Sequence, residues 1–346
     1  MWRLSALGGR LALALPVGGT LLLMILLAGL TALITASVAT GTVRLGLGEA
    51  LGTVIGNGGE RAAMIAGELR LPRALTSLMA GGLLAIAGTL LQGATRNPLA
   101  DPALVGISQG AGLAVIGAAI LAPELADAWR LPAAFGGGVG TAGVILLLSE
   151  RGGGAEPLRF LLIGLGLAAF LAAATTALLT YGGISDAHAA LAWLSGSVRA
   201  AGWDEVRLLA LATLGAVAII LASARPLAAL RLGDDLAATL GHRPARDRAM
   251  LLIGAVALAS ASVAVVGPIA FVGLLAPHAA RLLTRGTPGL HLALAWAIGA
   301  SLTTSADLAG RTAFDPVQIP SGLVTALVGA PLFAFLMLRM MRTGAE

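Results

Sequence analysis

RLPRALTSLMAGGLLAIAGTLLQGATRNPLADPALVGISQGAG, running from Arg70 to Gly112, is the stretch from which the rest of the chain can be read. Two apolar segments flank a compact loop, Arg96-Asn97-Pro98-Leu99-Ala100-Asp101-Pro102, and the pattern is that of a membrane hairpin with a functional turn. Pro72 suits the first turn of a helix, where its missing N–H would have had no partner, so Arg70 and Arg73 are expected at a membrane surface. In the second segment Ser108, Gln109, Gly110 and Gly112 make one helical edge small and polar. Such an edge permits close helix–helix contact or a water-lined path, and does not suit lipid.

Composition carries the same reading across the chain. Of 346 residues, 58% are hydrophobic and 11% charged, and the mean hydropathy is +0.93, more apolar surface than a soluble domain can hide. Aromatic residues are 4% of the chain while glycines number 48, so the helices are expected to pack backbone to backbone through small residues. The absence of cysteine excludes disulfides, thiolate metal sites and thiol catalysis. All 22 basic residues are arginine, and a chain without lysine has no P-loop, because that motif sets a Lys on the nucleotide phosphates. If ATP drives this protein, a partner binds and hydrolyses it.

Ten apolar segments follow: Leu11 to about Ala36, about Arg73 to Ala94, then 103–122, 132–149, 158–180, 206–224, 249–266, 268–284, 290–306 and 319–339. The first is too long for a signal-peptide core and reads as a retained helix. Between Thr40 and Arg73 a mixed stretch with Arg44, Glu49, Glu60, Arg61 and Glu68 reads as a surface loop with a short amphipathic helix. With both termini inside, 14 of the 22 arginines fall on the cytoplasmic side, as the positive-inside rule requires. The high pI of ≈ 11.2 is thus a topology signal, and a nucleic-acid partner is the wrong inference from it. In the longest cytoplasmic connection, 225–248, the centre from Leu232 to His242 reads as a short helix N-capped by Gly233 or Asp234 and stopped at Gly241.

Two sharper chemistries are weak here. Gly106-Ile107-Ser108-Gln109-Gly110 fits the G-x-S-x-G pattern, but no strand precedes it, so hydrolase or intramembrane-protease chemistry is not expected and no catalytic residue is assigned. His278, after Pro277, reads as a helix-end hydrogen-bonding residue before a metal ligand or proton carrier. His188, His242 and His291 are scattered, so no metal site is expected, and a transported metal would travel inside a chelate.

The Arg70–Gly112 stretch closely resembles the FecCD-type permeases, the transmembrane subunits of type II ABC importers for ferric siderophores, haem or cobalamin. Gly267-Pro268-Ile269-Ala270-Phe271-Val272-Gly273-Leu274-Leu275-Ala276-Pro277-His278-Ala279-Ala280-Arg281 is similar to that family's second signature. Ala306-Asp307-Leu308-Ala309-Gly310-Arg311 with Ile319-Pro320-Ser321-Gly322 is similar to its third. The resemblance implies an all-α polytopic membrane protein of about ten transmembrane helices with the type II ABC importer permease fold. Residues 1–346 would form a single permease domain with a cytoplasmic coupling segment at 225–248. The implied partners are a second permease subunit, self or paralogue, two ATP-binding cassette subunits, a periplasmic substrate-binding protein and the lipid bilayer of the bacterial inner membrane. ATP would be bound by the partner subunit, with no cofactor in this chain.

The family's site residues carry over position by position. Asn97, Pro98 and Leu99 match part of its cytoplasmic gate; the gate's partner lies at the start of helix five, where Pro157 and Leu158 stand in place of small hydroxyl residues. Leu232, Gly233, Asp234, Leu236, Ala237, Ala238, Leu240 and Gly241 match its ATPase-coupling segment. Arg70, Arg73 and Arg311 match outer arginines that receive glutamates from the binding protein, a task suited to arginine's fixed fork. Gln92, Ser108 and Gln109 are candidates for the translocation path. Asp186 to Val198 resembles the short helix and turn before helix six, with Trp193 as an interface anchor. One departure stands out: the family's usual Glu before the Pro-x-Gly of the third signature is Gln318 here. A ferric siderophore is the expected substrate, with haem or cobalamin as alternatives. The rival mechanism, an ion-coupled secondary transporter, would bury charges mid-helix as coupling sites, whereas only span-end charges such as Asp307 are evident.

Overall fold

A residue before proline is pushed out of the helical region, and Leu15 stands before Pro16, so the first apolar run divides there. The computed structural model describes residues 2–6, 11–15, 17–41, 46, 48, 52, 59–103, 105–122, 126–149, 157–182, 190–284 and 286–343. In it β1 (Trp2–Ala6) and β2 (Leu11–Leu15) pair antiparallel with Trp2 opposite Leu15, and α1 (Val17–Ala39) begins only after them. The expected first helix from Leu11 is corrected accordingly. One turn at Glu60–Ala62 and a π-helical segment, Ala63–Arg70, run straight into α2 (Leu71–Thr95). The described part of the expected surface loop is therefore a helical run-in, while Arg44 and Glu49 lie outside the described residues.

The remaining helices are α3 (Ile107–Leu121), α4 (Ala126–Ser149), α5 (Pro157–Tyr181), α6 (Trp203–Leu230), α7 (Asp234–Thr239), α8 (Pro244–Val266), α9 (Val272–Leu283), α10 (Pro288–Thr312) and α11 (Ser321–Thr343). Among the described residues, 8 helical stretches are long and apolar enough to cross a membrane, and α3 and α9 are shorter apolar helices beside them. Those ten stretches coincide with the ten segments expected from the sequence, and the chain is an all-α multi-pass membrane protein apart from its terminal hairpin.

α2 is the hub. Nearly every residue from Ala74 to Thr95 is buried, and the helix packs along α10 and α8 and touches α6 and α9. Small residues set these distances. A Cβ on Gly81 would lie 2.3 Å from the Gly299 carbonyl oxygen of α10, and one on Gly88 would lie 1.8 Å from the Gly273 carbonyl oxygen of α9. Backbone thus meets backbone, as the scarcity of aromatics led one to expect.

The two short helices begin inside the protein. At 1.5 Å per residue, α3 is about 22 Å long and α9 about 18 Å, short of a hydrocarbon core of about 30 Å. Gly273, at the start of α9, sits against Leu84, Gly88, Asp101 and Pro102, halfway down α2. Ile107, at the start of α3, lies against Gly138 in the middle of α4. The loops before them, 96–106 and 267–271, therefore re-enter the protein from opposite ends. Buried Asp101 ties the two together by accepting the N–H groups of Ala103, at 2.9 Å, and Phe271.

Candidate functional site

Labelled by the orientation that the arginine bias predicts, the outer end carries the starts of α2, α4, α6 and α11 and the ends of α8 and α10. Here Arg73 donates from Nε and Nη2 to both carboxylate oxygens of Asp307 at 2.8–3.0 Å, and from Nη1 to Oε1 of Gln318 at 3.0 Å. Arg311 completes the cluster: its Nε lies 3.8 Å from Asp307, Nη1 donates to the Thr40 carbonyl at 2.8 Å, and Nη2 reaches the Ser37 carbonyl and hydroxyl. Arg70 donates from Nη1 to the carbonyls of Val38 and Ala39. These carbonyls are the last of α1, which no intrahelical donor reaches, so the two arginines cap that helix. The amide of Gln318 accepts from Arg73 at the position where a carboxylate was expected.

Next to this cluster lies a cavity of about 550 Å³, lined among others by Arg73, Arg130, Trp193, Ser197, Arg199 and Gln318.

At the inner end a second network joins the loop after α2 to α7. Arg96 ends α2 in the left-handed region, φ 52°, donates from Nε to the Leu230 carbonyl at 3.0 Å and pairs through Nη2 with Asp234. Arg248 of α8 donates from Nη2 to both oxygens of Asp234 at 3.0 and 3.2 Å and from Nε to the Ala94 carbonyl at 3.0 Å. Asp234 thereby opens α7 between two arginines, with its charge at the favourable helix end. On α7, Ala237 is fully buried, while Leu236, like Leu232 just before the helix and Leu240 just after it, turns its apolar side chain to the outside. In the loop itself Asn97 Oδ1 accepts the Leu99 N–H at 2.9 Å, an Asx turn that fixes the tip.

The sequence profile of the FecCD transport family matches residues 26–339 of this chain. The chain belongs to the FecCD transport family. It is 36% identical to the achromobactin transport system permease protein CbrC of Dickeya dadantii over 98% of this chain and 96% of that one. It is 41% identical to the Fe(3+)-citrate import system permease protein YfmE of Bacillus subtilis over 78% of this chain and 80% of that one. The solved structure of an inward-facing metal-chelate type ABC transporter superposes with a TM-score of 0.78 at 26% identity, covering 92% of this chain and 99% of the other.

As a FecCD-family permease the chain brings together some of its expected site residues and separates others. Arg70 and Arg311 are both buried, and their forks hold the end of α1 against the run-in to α2 and against α10. Arg73 alone of the three reaches the outer cavity. Gln92 is buried between α2 and α9, its Nε2 donating to the Gly273 carbonyl at 3.4 Å and its Oε1 accepting from Arg281. Along α3 the small edge serves close contact, since a Cβ on Gly110 would strike Thr141 Oγ1 at 1.8 Å; Ser108 is buried there, and Gln109 has a buried Oε1 without a partner. Leu158 stands exposed on the first turn of α5, and the side chain of Pro157 lies outside the described residues. Asp186 and His188 lie outside them too, and Trp193 lines the outer cavity.

Sequence reading missed Asp101, Arg96, Arg130, Arg199 and Arg248 as site residues. A lone acid in an apolar loop was the available signal for Asp101. The arginines gave none, because their partners or neighbours lie far away in sequence.

Proposed function

We propose that this chain is the permease subunit of an ABC importer that moves an iron chelate, a ferric siderophore or ferric citrate-like complex, inward across a bacterial inner membrane. Relatives named for achromobactin, Fe(3+)-citrate and Fe(3+) dicitrate transport support the chelate. The observation that carries the ATP-driven part is the exposed pair of Leu236 on α7 and Leu240 at its C-cap, braced from behind by buried Ala237 and the Arg96–Asp234–Arg248 network. A six-residue helix with one outward leucine on it and a second at its C-cap, on the arginine-rich end, is shaped to seat in a groove of a separate ATPase subunit. The chain pairs with a second permease subunit around the path, Asn97, Pro98 and Leu99 close it from inside with the start of α5 at Pro157 and Leu158, and a periplasmic binding protein docks around Arg73.

Asp307, the span-end acid considered for ion coupling, is held by Arg73 and Arg311, which argues against its loading and unloading an ion. The test is co-purification and uptake. Leu236→Glu should release the ATPase subunit and abolish ATP-dependent entry of ferric chelate into proteoliposomes while leaving the thermal unfolding midpoint of the permease unchanged. An intact complex, or entry that continues without ATP, would overturn the proposal.

A further inference from the structure

We infer that the outer cavity is a capture site for an anionic, carboxylate-bearing ferric chelate, a refinement that rests on the iron-chelate reading above. At about 550 Å³ the cavity has the size of a small-molecule site, typically about 300–1,000 Å³. Three arginines reach it from three segments: Arg73 on α2, Arg130 on α4 and Arg199 in the turn before α6. Arg73 is held in place by Asp307 and Gln318. The guanidinium groups of Arg130 and Arg199 have no ion pair or hydrogen bond among the described residues, so their forks remain available to an arriving carboxylate. Among the described residues Glu205 is the one acid on the wall, and its Oε2 accepts the Gly202 N–H at 3.0 Å. The wall is cationic in excess.

A neutral donor adds to the charge. Trp193 lines the cavity, its indole Nε1 shut away from solvent. Ser197 Oγ accepts the Arg199 N–H at 3.1 Å, which leaves its own hydroxyl hydrogen to donate. The supporting turn is rigid: Ser197 N–H bonds the Val266 carbonyl at 2.8 Å, and Gly322 N–H bonds the Gly196 carbonyl at 2.9 Å, tying it to the end of α8 and the start of α11. Donors so fixed lose little freedom when a ligand arrives. A ferric complex of hydroxycarboxylates bears a net negative charge on oxygens spread over its surface, and this set of forks and donors matches it. A neutral hydroxamate complex offers no carboxylate to them. An acidic side chain on a delivering protein would meet Arg199 at the rim, but half-buried Arg130 and the enclosed Trp193 lie within a concavity that favours a small ligand.

The experiment measures direct binding of radiolabelled ferric citrate, and of a neutral ferric trihydroxamate, to the full-length permease in nanodiscs, with uptake by the complete importer in parallel. Wild type should bind ferric citrate in preference to the trihydroxamate and lose affinity as salt rises. The double variant Arg130→Gln, Arg199→Gln should weaken ferric citrate binding at least about tenfold, with its thermal midpoint unchanged, and Arg130→Lys should fall between. Unaltered ferric citrate affinity in the double variant, equal affinity of wild type for both chelates, or a double variant that keeps chelate binding and loses only the binding protein would each overturn the inference. If the wild-type importer takes up no ferric chelate of either kind, the iron-chelate reading itself fails. If it takes up both equally, only the charge preference fails.

Discussion

Removing the Asp234 carboxylate should uncouple the α7 helix from the loop that carries Asn97 and Leu99. That carboxylate holds Arg248 of α8 at 3.0 Å and Arg96, whose next residue in the chain is Asn97. With six residues, α7 is far too short to be helical by itself in water, so its position depends on this network and on buried Ala237. The side chains of Arg96 and Asp234 are 40% and 46% exposed, so their pair contributes only about 0–1 kcal/mol. Arg248 is 10% exposed, and stripping the partner from a fully buried pair costs about 3–5 kcal/mol. Here Asp234 is half in water and Arg248 keeps the Ala94 carbonyl, which reduces the expected loss for Asp234→Ala to about 1–2 kcal/mol. The unfolding midpoint should drop by only a few degrees. In the reconstituted importer, uptake per ATP hydrolysed should fall at least about threefold, roughly 0.7 kcal/mol of coupling. Arg96→Ala should do the same, and the double variant should be no worse than either single change, because one connection has been cut twice. A wild-type uptake-to-hydrolysis ratio in Asp234→Ala, or losses that add in the double variant, would refute the reasoning.

Two further outcomes follow from packing. Gly88→Val places carbon where the Gly273 carbonyl oxygen already lies, 1.8 Å from the first added atom, and should prevent accumulation of folded protein in the membrane; Gly18→Ala, with nothing within 4 Å, should accumulate as wild type in the same detergent-extraction assay. Leu99→Ala, truncating the half-buried residue at the Asx turn, should let proteoliposomes lose a trapped small solute faster than wild type without ATP, and equal retention would reduce the loop to an ordinary turn.

What could be read from the sequence was governed by range. The ten apolar stretches, the hub role of the segment after Pro72 and the small-residue packing are local or compositional, and each is visible in consecutive residues. The side-chain assignments were mixed for a physical reason. Arg70 and Arg311 were recognisable as arginines at the ends of apolar spans, yet whether a guanidinium turns to water or to the open carbonyls of α1 depends on a helix end more than 30 residues away. The same holds for Asp234, whose partners stand 138 and 14 positions distant. In α7, a single buried alanine between exposed leucines is too little for a periodicity to reveal. The outer cavity draws on five segments, and no spacing in the chain announces it.

The bare contact of Gly88 on Gly273 also limits how the protein can move. An interface of side chains can be re-sorted by flipping rotamers, whereas two backbones pressed together have nothing to flip. Sliding α2 past α9 by one turn would bring Leu84 or Gln92 to where Gly88 now leaves room for that carbonyl. With Gly81 locked on Gly299 a further two turns along, α2, α9 and α10 must travel as one keystone block. In the importer proposed above, any opening of one end of the path and closing of the other would then be a tilt of that block against the less enclosed helices α1, α5, α6 and α11, with the bending in the loops.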